Sequence, residues 1–353
     1  MSGNTLPDIR SVSIGDILSF MEQHHQPAYR ARQLYEWLWK KQAGDFNTMS
    51  SLPAGLRNLL KEHFTFYQAI IRHTQRSQDG TVKVVFDLHD GSVIEGVLIP
   101  SADRLTVCIS SQVGCALACR FCATGTLGFE RNLLPGEIVD QVSGIMNSAG
   151  GQPIPSNIVF MGMGEPFLNY ENVVMAIDRL TSQDGWGMSP QRITISSIGM
   201  PKMIRKMGDD RLKCHFALSL HAANEERRHQ IMPFSTRYTL QELSDALLHY
   251  HACTGNRFTI EYIMLDSLND SRADANDLAR FCRRFPVKIN LLEYNEVSGL
   301  GFRKSSTERI RQFAAWLEEK NMVVNIRMSR GRDIDAACGQ LAGKMRNTGS
   351  SNG

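Results

Sequence analysis

The 353-residue sequence predicts an α/β fold: a partial (β/α)6 barrel carrying a small N-terminal helical module and a β-hairpin extension. Three observations predict it. Apolar residues recur at helical spacing in the first 76 residues, a tight-turn hairpin pattern fills 77–100, and strand, loop and helix patterns alternate from residue 105 onward.

In the first stretch, Ile14, Ile17, Leu18 and Met21 fit one helical face, and Ala31, Leu34, Tyr35 and Leu38 fit another. Pro27, Pro53 and Gly55 punctuate these segments, so residues 1–76 read as an all-helical accessory module. Thr81–Leu88 and Ser92–Ile99 follow as two strands joined by His89-Asp90-Gly91, a good tight-turn sequence. Further strands are predicted at Leu105–Ser110, Asn157–Gly162, Arg192–Ser197, His215–Leu220, Arg257–Leu265 and Lys288–Tyr294, with Val323–Ser329 as an extra. Amphipathic stretches lie between them at Pro135–Asn147, Tyr170–Leu180, Leu240–His251, Asp274–Phe285 and Thr307–Lys320, with Pro135 suited to a first helical position. Such alternation implies a parallel sheet with crossover helices over residues 101–346, and six or so units favour an incomplete barrel over an open sheet. Asn347–Gly353 reads as a disordered tail.

Composition excludes several classes. With 42% hydrophobic and 21% charged residues the chain is neither disordered nor fibrous. Its apolar runs, such as Ile158-Val-Phe-Met161, are too short for a bilayer, and MSGNTLPDIRSVS lacks the basic flank and apolar run of a secretory signal. The expected compartment is the cytoplasm, where eight cysteines are metal ligands, catalysts or core residues rather than staples. Net charge is only +3, but both ends are basic: nine Lys/Arg against six Asp/Glu in 1–76, and ten against five in 303–346. That fits a phosphate-binding rim and equally well ordinary solvated helices.

The strongest local signal is Val113-Gly-Cys115-Ala-Leu-Ala-Cys119-Arg-Phe-Cys122-Ala-Thr-Gly125. Cys115, Cys119 and Cys122 are spaced C-x3-C-x2-C on a loop with Gly at both ends. Thiolates are the preferred ligands of iron–sulfur clusters, and three on a short loop can take three corners of one cube. No fourth Cys or His follows at finger spacing, which argues against a closed zinc site. Polar residues also collect at the carboxyl ends of the predicted strands, where barrel active sites lie: Gly164 and Glu165 after the second, Ser196 on the third, Ser219, Leu220 and His221 on the fourth, Asn295 after the sixth.

The cysteine spacing resembles that of the radical S-adenosylmethionine superfamily. Together with Met161-Gly-Met-Gly164-Glu165-Pro, Ser219-Leu-His221 and Asp333-Ile-Asp-Ala-Ala-Cys338-Gly-Gln-Leu341, it resembles the RlmN/Cfr family of RNA adenine methyltransferases over essentially the whole chain. The resemblance implies one 4Fe-4S cluster on Cys115, Cys119 and Cys122. It implies two molecules of S-adenosyl-L-methionine per turnover, one methyl donor and one radical source. Cys338 matches the cysteine that is methylated first, and Cys108 the partner that resolves a covalent protein–RNA adduct through a transient disulfide. Glu95 matches a proposed proton acceptor, and Gly164, Glu165, Ser196, Ser219, Leu220, His221 and Asn295 match cofactor-binding positions. Glu293-Tyr294 stand where the family often has Pro-Trp.

The implied reaction is methylation of adenine carbon 2 in 23S rRNA at the peptidyl-transferase centre and in tRNA at the adenosine 3′ of the anticodon. The implied electron donor is of flavodoxin or ferredoxin type, and the implied state a monomer without membrane attachment. Carbon 8 methylation giving antibiotic resistance, and activation of another protein by a glycyl radical, remain alternatives at this level. Carbon 2 of adenine is not nucleophilic, so polar transfer from a sulfonium fails there and a thiol carrier makes chemical sense. In Tyr29-Arg-Ala-Arg32-Gln-Leu-Tyr-Glu-Trp37-Leu-Trp39-Lys-Lys41, the aromatics favour the module's own core and the basic residues RNA phosphates. Cys214, Cys253 and Cys282 match nothing and are assigned to packing or surface.

Overall fold

The computed structural model describes residues 6–102, 104–150 and 154–342; the predicted tail at 347–353 lies outside them. Helices α1 (Ile14–Gln23), α2 (Tyr29–Trp39) and α3 (Ala54–His63) open the chain. Ser13 caps α1 by accepting from the Asp16 N–H at 3.1 Å, and Pro53 supplies the extended entry to α3. Of the face predicted for α1, Ile17 and Met21 are buried, but Ile14 and Leu18 are about two-fifths exposed, so the buried stripe is narrower than its spacing suggested. The α2 face Ala31, Leu34, Tyr35 and Leu38 is buried throughout.

The strands are β1 (Ile70–Arg76), β2 (Val82–Asp87), β3 (Val93–Ser101), β4 (Arg104–Cys108), β5 (Gln112–Gly114), β6 (Phe129–Asn132), β7 (Asn157–Phe160), β8 (Ile193–Ser197), β9 (His215–Ser219), β10 (Phe258–Met264), β11 (Val287–Glu293) and β12 (Val324–Arg327). The later helices are α4 (Pro135–Ser148), α5 (Tyr170–Thr181), α6 (Pro201–Asp209), α7 (Glu225–Ile231), α8 (Leu240–Thr254), α9 (Arg272–Cys282) and α10 (Thr307–Glu318). One ten-stranded sheet runs β1-β2-β3-β4-β7-β8-β9-β10-β11-β12, and β5 and β6 form a separate hairpin. From β1 to β4 neighbours are antiparallel; from β4 through β12 they are parallel. The predicted hairpin is β2–β3, in register Asp87↔Val93, and the predicted extra strand is β12. Strand β1, read as part of the helical stretch, pairs with β2 as the sheet's first edge.

The parallel part is a partial barrel. Residues Gly331–Ala342 bridge its open side, reaching Asp79, Lys83 and Glu95 on the β1–β3 side and Glu293 and Asn295 at the end of β11. The core runs continuously from the N-terminal helices through the sheet to the outer helices. Arg10 welds the two parts. It is 4% exposed, donates to Asp140 on α4 at 2.6 Å and to the Tyr67 carbonyl at 2.8 Å, and lies over Gly136, where a Cβ would stand 2.6 Å from the guanidinium carbon. A buried cation so paired is costly to leave alone, which ties the orientation of the helices to α4.

Candidate active site

The three-cysteine loop grows from the β5–β6 hairpin. Its base is closed where the Cys115 N–H donates to the Gly128 carbonyl at 2.7 Å, and Gly114 (φ +71°) permits this, since a Cβ there would meet that oxygen at 1.9 Å. Gly125 lets the loop fold onto itself, its position of a Cβ lying 2.7 Å from the Cys119 carbonyl oxygen. Beneath the thiols lies an apolar floor of its own, including Leu117, Phe121, Ile231, Met232 and Tyr294. Burial pushes the Cys115 thiol up to about 12 and the Cys119 thiol well above its usual range, and the neighbouring thiols push the same way. An apolar setting that disfavours free thiolates at Cys115 and Cys119 is eased by a cation bound among them. The donor set and its surroundings therefore fit a cluster ligated by Cys115, Cys119 and Cys122.

Around this loop stand the residues at the strand ends. Gly164, at φ +95°, lies against Gln112, where a Cβ would come 2.4 Å from Gln112 Cβ. Glu165 is 3% exposed; its carboxylate accepts from the Phe167 N–H at 3.0 Å and the Ile198 N–H at 3.0 Å, while burial raises its pKa to about 7. The Ser196 and Ser219 hydroxyls face each other at 3.2 Å across β8 and β9. Leu220 is fully buried, with its N–H given to Glu261 and its carbonyl taken by Arg228. His221 has φ +58°, accepts the Ile263 N–H at 3.2 Å, and meets Phe121 edge-on at 5.0 Å between ring centres. Burial first, and the Arg228 charge second, hold His221 neutral, with its pKa pushed down to about 3. Asn295 Oδ1 and Ser111 Oγ are buried without a protein partner, polar atoms that suit a polar cofactor.

The C-terminal segment closes over this site. Ala123 N–H donates to the Gly339 carbonyl at 2.8 Å and Thr124 Oγ1 to the Leu341 carbonyl at 2.6 Å, joining it to the cysteine loop. Asn295 Nδ2 reaches the Cys338 carbonyl at 3.4 Å, and the Ala342 N–H donates to Glu95 at 3.1 Å. Cys338 remains exposed to solvent, and desolvation, then the Cys122 charge, raises its pKa to about 11. Cys108 is buried at the end of β4, and burial followed by the charge of Cys338 raises its thiol beyond the ordinary range. Both cysteines are free thiols, and each cysteine loop residue is free as well.

The residues expected to hold cluster and cofactor thus lie on the cysteine loop and at the carboxyl ends of the parallel strands, with Glu95 and Cys338 joined to them through the C-terminal segment. Several that matter had no local signature. Arg228 is buried under the loop, binds the Ile198 carbonyl at 2.7 Å, and places its charge near Cys119, with burial lowering its pKa to about 10. Gln112 fixes the Glu165 N–H at 2.8 Å, and Asn269 donates to the His221 carbonyl at 2.7 Å. Glu293, at the departure from Pro-Trp, is buried and holds both Arg332 and the Ser329 N–H, so the altered pair anchors the closing segment.

Comparison with known proteins agrees with this geometry. Residues 109–279 match the radical SAM superfamily model, and residues 9–66 match the ribosomal RNA large subunit methyltransferase N-terminal domain. A solved radical SAM methyltransferase from Sphaerobacter thermophilus superposes with a TM-score of 0.89 at 37% identity, covering 96% of this chain and 99% of that one. The fold and site therefore define a radical S-adenosylmethionine methyltransferase with a 4Fe-4S cluster. Among sequence relatives, the "probable dual-specificity RNA methyltransferase RlmN" of Cytophaga hutchinsonii is 48% identical over 95% of this chain and 92% of its own length. The "dual-specificity RNA methyltransferase RlmN" of Desulfotalea psychrophila is 43% identical over 95% and 94%. The chain belongs to the RlmN family. Among the described residues, no helix is long and apolar enough to cross a membrane.

Proposed function

We propose that the protein methylates carbon 2 of an adenosine in 23S rRNA at the peptidyl-transferase centre and of the adenosine 3′ of the anticodon in tRNA. Cys338 serves as methyl carrier and Cys108 as resolving thiol. The observation that carries this reading is the closing segment: it brings Cys338 to the cysteine loop and to within electrostatic reach of Cys108. The names of the relatives, which specify RNA and dual specificity, and the matched N-terminal domain supply the substrate class.

Bound to the loop, the cluster and S-adenosylmethionine supply a transferable methyl group and a carbon radical able to remove hydrogen, two cofactor molecules being used per turnover. Glu165, Ser196, Ser219, His221 and Asn295, with the backbone at Gly164 and Leu220, shape the pocket that orients the cofactor. His221 serves as a neutral acceptor because burial keeps the proton off it. Cys338 loses its thiol proton as it takes the methyl group, and as a thioether it no longer carries charge. That removes the repulsion which, with burial, disfavours the Cys108 thiolate. Once the carrier carbon is joined to the base, the unpaired electron of the adduct would return to the cluster, and Glu95 accepts the proton from carbon 2. Cys108 then attacks the Cys338 sulfur: the S–S bond forms as the S–C bond breaks, and the electron pair passes to the released carbon, which takes up a proton to complete the methyl group. A thiol reductant reopens the disulfide, and a flavodoxin- or ferredoxin-class donor reduces the cluster. Reaching the base requires its extrusion from the stack, with basic residues of the N-terminal module on the phosphates. The enzyme acts as a monomer in the cytoplasm.

Mass mapping of ribosomal and transfer RNA from a deletion strain complemented with parent or Cys338→Ala enzyme tests this. Carbon 2 methyladenosine should be restored by the parent only; restoration by Cys338→Ala, or a methyl on carbon 8, would contradict it.

A further inference from the structure

We propose that Asp209, His249 and Cys253 form a zinc site on the outside of the barrel, separate from the cysteine loop. His249 and Cys253 lie one turn apart on α8, where i,i+4 spacing puts them on one face, and Asp209 ends α6 opposite them. Gly208 makes the meeting possible. A Cβ there would stand 3.0 Å from Tyr250 Cα and 3.6 Å from both Cys253 Cβ and His249 Cδ2, so any side chain would hold the helices apart.

The three ligand atoms converge on one point. Cys253 Sγ is 3.4 Å from His249 Nε2 and 3.9 Å from Asp209 Oδ1, and Asp209 Oδ1 is 2.6 Å from the same Nε2. Thiol and carboxylate thus address a single ring nitrogen. A nucleophilic relay needs the carboxylate and the thiol on opposite ring nitrogens, so this arrangement is not one. It is the geometry of ligands around a shared centre. Tetrahedral zinc with bonds of about 2.0–2.3 Å sets its ligand atoms about 3.4–3.6 Å apart. The two edges that include sulfur are already within a few tenths of an ångström of that. Only the carboxylate–imidazole edge must open, by roughly 0.8 Å on the same bond lengths, and the Asp209 side chain is 62% exposed and free to swing. A sulfur, nitrogen and oxygen set selects a borderline metal such as zinc over the hard cations magnesium and calcium. Three ligands leave a fourth position for water on the solvent side.

The test uses the anaerobic holoenzyme, whose loop cysteines are already engaged, titrated with zinc against a chromophoric chelator. One zinc per chain should bind beyond the cluster. His249→Ala and Cys253→Ala should each weaken it at least tenfold, and Asp209→Asn less, while His215→Ala, at an exposed position elsewhere, leaves it unchanged. Zinc should also raise the unfolding temperature of the parent but not of Cys253→Ala. Iron content equal to the parent's shows each variant folded and loaded. Absence of the extra zinc, or uptake indifferent to both His249→Ala and Cys253→Ala, would overturn the proposal.

Discussion

His221 shows how one residue can serve backbone, packing and electrostatics together. Its left-handed φ places the ring under Phe121, its Nδ1 accepts the Ile263 N–H, and it stays neutral because burial excludes charge there. The linkage follows from that depressed pKa. Below about pH 6.5 the unfolded chain binds a proton that the native protein refuses down to about 3, so stability falls as pH drops through that window. Between pH 7 and 5 the loss is about 2 kcal/mol, at about 1.4 kcal/mol per unit. His221→Asn keeps an acceptor at the same place and tolerates positive φ. Urea unfolding should therefore show parent protein losing about 2 kcal/mol more than His221→Asn over that interval; equal losses would refute the assignment. Glu165, raised to about 7, works in the opposite sense but is common to both proteins. At this scale the three loop cysteines were legible because ligand spacing is local, whereas Arg228 was not, since its role depends on carbonyls at Ile198 and Leu220 distant in sequence.

Among the elements, the closing segment Gly331–Ala342 is the one on which the proposed role of Cys338 depends. Gly331 and Asp335 adopt positive φ, and its start is held from outside: Asp79 accepts the Gly331 N–H at 2.9 Å, and Asp333 accepts from Ser77 Oγ at 2.6 Å. These contacts orient the segment without contributing much to the core, of which only Ala336, Ala337 and Leu341 are buried parts. Replacing Asp79 and Asp333 by alanine should keep iron content and reductive cleavage of S-adenosylmethionine near parental levels and cut RNA methylation at least tenfold. Equal loss of both activities would show that the segment builds the cofactor pocket itself. Its small, Gly-flanked composition was readable as a loop, but its hydrogen-bond anchors were not, because they lie some 250 positions away, as for Gly331 and Asp79. Strand β1 escaped for a different reason. Ile-Ile-Arg-His-Thr-Gln-Arg is an edge strand with both isoleucines exposed and no alternation to read.

For the whole molecule, the parallel strands and five of the helices between them were legible from alternation, whereas the short α6 and α7 were not, and pattern could not decide how far the sheet curls. The structure decides it through long-range contacts: the segment after β12 touches both the β2–β3 side and the end of β11 and so spans the open side of the sheet. The segment that carries Cys338 is thereby tied to the loop of Cys115, Cys119 and Cys122, and Arg10 and Asp140 fix the N-terminal part to α4. In the proposed reaction Cys338 bonds the base and Cys108 releases it. Its most direct measurement is mass spectrometry of anaerobic Cys108→Ala enzyme after reaction with S-adenosylmethionine, reductant and ribosomal RNA. A covalent RNA–protein adduct mapping to Cys338, and absent from Cys108→Ala/Cys338→Ala, is the predicted result; free methylated RNA formed at the parental rate with no adduct would contradict it.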